Sequence, residues 1–193
     1  MLAAAVLLLS TQGLIIQPPH ASAPGLRHAP TLARTAAAVS LEQIQRDLRR
    51  DDWQPLQTDP AWRNPCLLTS LLTAVSVQQA VAFDVWPLFG LGPLLVLLSS
   101  IIYWSNPQRD TWRRTLDLVV VRGGMASQIL IGCCFCRPLG VVLLLAGYAA
   151  GGVCYAAGRV LTVREQRVRG AWVHTGVHVF ANLGNLLLLR FVR

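Results

Sequence analysis

His174 and His178 stand four residues apart, and Asn182 and Asn185 follow at further steps of four and three. On a helix those steps return to one face, so the four side chains form a single polar stripe. An i, i+4 histidine pair can offer a metal such as zinc two imidazole ligands, and a site then needs at least one more. The same pair can pass protons, or it can belong to a hydrogen-bonded seam between helices, each contact worth about 1 kcal/mol in lipid. His174 and His178 are the only histidines beyond His28. Asp117 and Ser100 are the other candidates for catalytic chemistry, a carboxylate and a hydroxyl inside otherwise apolar runs. Asp117 either takes part in catalysis or is a first-turn carboxylate favoured by the helix dipole and paired with Arg113 or Arg114. Arg122 follows one and a half turns deeper in the same run.

Apolar helices must position these groups. Of 193 residues, 53% are apolar and 13% charged, about half the charged share of a soluble domain, and the mean hydropathy is positive. That composition excludes disorder and argues against a water-soluble globule. Five apolar runs, 65–83, 86–104, 116–136, 139–157 and 171–189, each have the length of roughly 20 residues that a helix needs to cross a bilayer. None alternates as a barrel strand does. The expected fold class is all-α, a polytopic membrane helical bundle of about five transmembrane helices over residues 65–193.

All 17 basic residues are arginine, against nine acidic ones. Five crossings put eleven arginines on one side, from the segment before the first run and from the joints after the second and fourth runs. Arg137, Arg190 and Arg193 fall on the other. That asymmetry follows the positive-inside pattern. Threading therefore accounts for the basic charge, the lipid bilayer is the implied partner, and no nucleic-acid partner is needed.

No acidic residue precedes Glu42. Residues 1–40 are rich in alanine and serine, carry Arg27 and Arg34, and read as a targeting leader that takes no part in the fold. The first sixteen residues suit a signal-peptide core, and the junction at His20-Ala21-Ser22-Ala23-Pro24 resembles the two-part leaders of algae with secondary plastids. That resemblance implies a plastid membrane; a plain secretory signal, and hence a secretory-pathway membrane, is the alternative. Residues 41–64 form a surface segment opened by a short amphipathic helix, with Leu41, Ile44 and Leu48 at helical spacing.

Gly147 and Gly151 lie four apart in the fourth run. Small residues at that spacing let helix backbones approach closely, in a homo-oligomer, against a membrane-protein partner, or within one bundle. Cys133 and Cys136 have a C-x2-C spacing with no second pair, which admits small apolar filling as well as redox or zinc work.

Ser100 with Trp104 four residues on, Asp117 opening the next run, and His174-x3-His178 in the last together resemble the alkaline ceramidase and adiponectin-receptor superfamily of membrane hydrolases. In that family three histidines hold a zinc whose bound water attacks an amide. Carried over, the resemblance implies zinc as cofactor, His174 and His178 as ligands, and Asp117 and Ser100 at the acidic and serine positions. Trp104 stands where the family has its first zinc histidine, and five runs stand where the family has seven spans. Two functions are expected. One is a non-enzymatic integral membrane component (structural, assembly or small transport) that uses the stripe for helix contacts. The alternative is a zinc-dependent amide hydrolase centred on His174, His178 and Asp117.

Overall fold

The computed structural model describes residues 41–50 and 54–193, and the regular elements among them are helices. The leader over 1–40 lies outside the described residues. Contacts divide the chain into Met1–Arg46 and Asp47–Arg193. Of the first unit only residues 41–46 are described, as the opening of α1 (Leu41–Arg49). The second unit holds α2 (Pro65–Ser70), α3 (Thr73–Ala82), α4 (Leu91–Trp104), α5 (Trp112–Phe135), α6 (Pro138–Val163) and α7 (Arg167–Leu189).

Local chemistry sets these boundaries. The Asn64 side chain caps α2 by accepting from the Cys66 amide at 3.0 Å, and Pro65 occupies the first turn, where a missing N–H costs nothing. Between α2 and α3 the backbone stays right-handed, but the Leu72 and Val75 amides bond three residues back, a locally tightened turn. Thr69 and Ser70 return their hydroxyls to the carbonyls of Pro65 and Leu67, which eases such tightening. The run expected at 86–104 becomes helical only at Leu91. Pro87 and Gly90 precede that start, and Asp84 takes a left-handed φ of 54° in the turn before them. A helix of 14 residues spans about 21 Å, short of the roughly 30 Å hydrocarbon core.

Pro65–Ala82, Trp112–Phe135 and Pro138–Val163 are long and apolar enough to cross a membrane. They indicate an integral membrane protein. α7 has the length, at 23 residues, but its histidines and asparagines dilute its apolar content.

The distribution of side chains is inverted relative to a soluble protein. Val119 and Leu130 are 62% and 67% exposed, whereas Ser76, Ser100, Gln128 and Asn182 are buried. Polar groups turned inward beneath an apolar exterior are what a lipid surround demands.

The ends of the helices sort the arginines. Gln57 Nε2 donates to the Pro107 carbonyl at 3.1 Å, Arg159 donates to the Arg50 carbonyl at 3.0 Å, and Arg164 pairs with Asp47 at 2.7 Å. The segment after α1, the α4–α5 joint and the α6–α7 joint therefore share one end. At the other end the Arg137 amide donates to Phe191 O and the Arg193 amide to Phe135 O, around a Cys136–Val192 bridge. Arg190 lies there too, its guanidinium 5.5 Å from the Phe83 ring centroid.

α6 and α7 form the closest helix pair. A Cβ added at Gly147 would stand 2.6 Å from the Phe180 carbonyl oxygen, and one at Gly158 2.9 Å from that of Gly170. Gly151 meets the Val177 carbonyl at 3.4 Å on the same face. Gly147 and Gly151, where a second copy could have docked, instead face α7 of their own chain.

Candidate functional site

α7 can carry its polar stripe because the glycine seam lets α6 approach without displacing it. The four residues of the stripe meet three different helices. Asn182 is buried and receives the Ser76 hydroxyl from α3 at 2.8 Å, while its amide donates to Thr73 Oγ1 at 3.1 Å and to the His178 carbonyl at 2.7 Å. Asn185 Oδ1 accepts from the Tyr148 hydroxyl of α6 at 3.0 Å. His174 stacks at a tilt against Trp104 of α4, ring centroids 5.2 Å apart, and against Tyr155 of α6 at 5.7 Å. His178 lies 5.9 Å from His174 and 6.4 Å from Trp104, edge-on to both. Its Nε2 is buried without a hydrogen-bond partner among the described residues, as is the Tyr103 hydroxyl.

Ser99 and Ser100 of α4 both donate to Asp117 Oδ1, at 3.0 and 2.8 Å. Asp117 is buried by this contact, and among the described residues it pairs with neither Arg113 nor Arg114. Arg114 donates to the Arg109 carbonyl at 3.3 Å. On the same helix Gln128 donates to the Phe89 carbonyl at 3.0 Å, holding the turn before α4 against α5.

Between the α4–α5 pair and the α6–α7 pair lies a cleft of about 380 Å³. Ser100, Tyr103, Asp117, His174, His178, Asn182 and Asn185 line it, with Arg114, Arg122, Arg159 and Arg167 also on its wall. The two serine–aspartate and histidine–tryptophan groupings thus open into one space. They do not merge into a metal site: among the described residues, no three His, Cys, Asp or Glu side chains are placed to hold one ion. The C-x2-C spacing likewise assembles nothing, since Cys133 is exposed and Cys136 buried in the end bridge, both as free thiols.

The sequence pattern did not single out Thr73, Ser76, Gln128, Tyr148 or Tyr155. Gln128 carried a signal, being a primary amide in the middle of a membrane-length run. Tyr148 stands beside Gly147, so it was bound to lie near the helix pair that the glycine permits.

Comparison with protein-family models, with curated protein sequences and with solved structures returns no match for this chain.

Proposed function

We propose that this chain is a small, non-enzymatic membrane component that crosses the bilayer five times and holds a small ligand in the cleft between its helix pairs, in the service of transport or assembly. The cleft carries the reading. Its volume of about 380 Å³ falls in the range of about 300–1,000 Å³ typical of small-molecule sites. Its wall combines apolar helix faces with a few convergent polar groups, two of which, His178 Nε2 and the Tyr103 hydroxyl, have no hydrogen-bond partner among the described residues. Polar groups at membrane depth are retained where they face a cavity with work to do.

Five crossings are supported by the grouping of the arginine-rich joints at one end and of Arg137, Arg190 and Arg193 at the other. The leader favours a plastid membrane, with a secretory-pathway membrane as the alternative. The hydrolase alternative gains a shared cleft but lacks a third ligand, because among the described residues no third His, Cys, Asp or Glu is placed with His174 and His178 to hold one ion.

Val121 lines the cleft from α5, and Val121→Trp would fill it. Native mass spectrometry of the protein purified from its own membrane should show a bound small molecule that Val121→Trp lacks. An identical adduct on both proteins, or none on either, removes the ligand-binding reading.

A further inference from the structure

Asp117 and Arg122 are charged residues in the interior of α5, and both line the cleft. They stand five residues apart, a rise of about 7.5 Å along the helix, and they do not pair with each other. Asp117 Oδ1 takes both serine hydroxyls, and no described residue donates to Oδ2. Asp117 itself lines the cleft. Arg122 makes no hydrogen bond, ion pair or ring contact with any described residue. One helix thus brings a buried carboxylate and an exposed guanidinium to the wall of the same cleft, inside an apolar run where charges are costly unless they are given partners.

The surroundings of the two charges differ. Near Asp117 the cleft is walled by aromatic rings. Tyr103 and Trp104 lie 4.7 Å apart, Trp104 and His174 5.2 Å, and His174 and Tyr155 5.7 Å. A carboxylate beside aromatic faces is the chemistry that receives an organic ammonium, quaternary ones included. Arg122 lies farther along the helix, and its planar fork suits a phosphate's oxygens. Gly124 and Gly92 face each other where α5 packs against α4, and both border the cleft.

We infer that the cleft is built for a zwitterion of the phosphocholine or phosphoethanolamine type, its ammonium against Asp117 and the rings of Tyr103, Trp104 and Tyr155, its phosphate against Arg122. This deepens the ligand-binding reading and rests on it. The shared chemistry can arrive as the headgroup of a membrane lipid or as a free phosphoester. In either form the ligand supplies both counter-charges at once, which choline or phosphate alone cannot do.

The test is calorimetric titration of the full chain in an uncharged detergent with phosphocholine, choline and inorganic phosphate. Alongside it, mass spectrometry detects lipid retained from nanodiscs containing phosphatidylcholine and phosphatidylglycerol in equal amounts. Phosphocholine should bind at least tenfold more tightly than either fragment. Asp117→Asn, which still accepts from both serines, should erase the advantage over phosphate, and Arg122→Gln the advantage over choline. Asp117→Glu, which keeps the charge, should retain most of the binding and covers the case in which the asparagine variant fails to fold. Selective retention of phosphatidylcholine assigns the headgroup to lipid; titration without such retention assigns it to a free phosphoester, and both support the inference. Phosphate or phosphatidylglycerol bound as well as the zwitterion, or variants that bind as the wild type does, overturn it while leaving the cleft a binding site. If no probe binds and Val121→Trp changes no adduct, the inference and the reading beneath it fall together.

Discussion

The indole of Trp104 lies 5.2 Å from the imidazole of His174 and 6.4 Å from that of His178. The residue that interrupts the zinc pattern in the sequence therefore stands against the two side chains that pattern would join. Ring separations of this size are close to those kept by imidazoles around a single tetrahedral zinc.

Trp104→His should accordingly create a metal site where the native chain has two ligands. Zinc titration is expected to raise the thermal midpoint of that variant well above any rise in the wild type, and His178→Ala in the same background should cancel the gain. A wild-type protein that already carries stoichiometric zinc, lost on chelation with a fall in its midpoint, would restore the hydrolase alternative.

Gly147 and Gly152 make a matched pair for the α6–α7 seam. Gly147→Ala places a methyl against the Phe180 carbonyl, while a Cβ at Gly152 meets nothing within 4 Å. The first should cost about 1–3 kcal/mol through overpacking; the second should be neutral or should gain up to about 1 kcal/mol of helix propensity. Chemical denaturation in mixed micelles measures both, and equal effects at the two positions would refute the seam.

Asn182 ties α7 to α3 through Ser76 and Thr73. Asn182→Ala should lower stability by about 1–2 kcal/mol, the scale of two interhelical hydrogen bonds in lipid. Faster hydrogen exchange should be confined to 65–82 and to the middle of α7. Loss of protection spread evenly over all helices would show that the contact is not local.

Threading is tested by glycosylation acceptors placed in the α4–α5 joint, beside Gln108, and after Arg193. With three crossings between that joint and the C-terminus, as five crossings in all require, only one of the two tags is modified in a given orientation. Modification of both, or of neither in either orientation of a reversed-signal control, would break the five-crossing reading.

The sequence made the helical class and the inward stripe legible because both rest on period and polarity. The runs expected at 116–136 and 139–157 lie within or at the edge of α5 and α6, whose ends extend outward through arginines and apolar residues that hydropathy alone does not join to the helix. The second run began too early because Pro87, Gly90 and the left-handed Asp84 reshape the backbone without altering apolarity. At the site, spacing found the stripe, and the partners of its members were hidden. The family resemblance grouped Asp117 with the histidines, but spacing along the chain could not show that Ser99 and Ser100 would both donate to its carboxylate. That Asn182 would choose α3, and Asn185 α6, depended on helix neighbours that no local pattern encodes.

The amide-to-carbonyl clasp of Phe135, Arg137, Phe191 and Arg193 holds the far ends of α5, α6 and α7 together. Among the described residues, no backbone bond of this kind joins α5 to α6 at the arginine-rich ends. Any parting of the α5–α6 joint from the tail of α7 must break the backbone bonds of the clasp first.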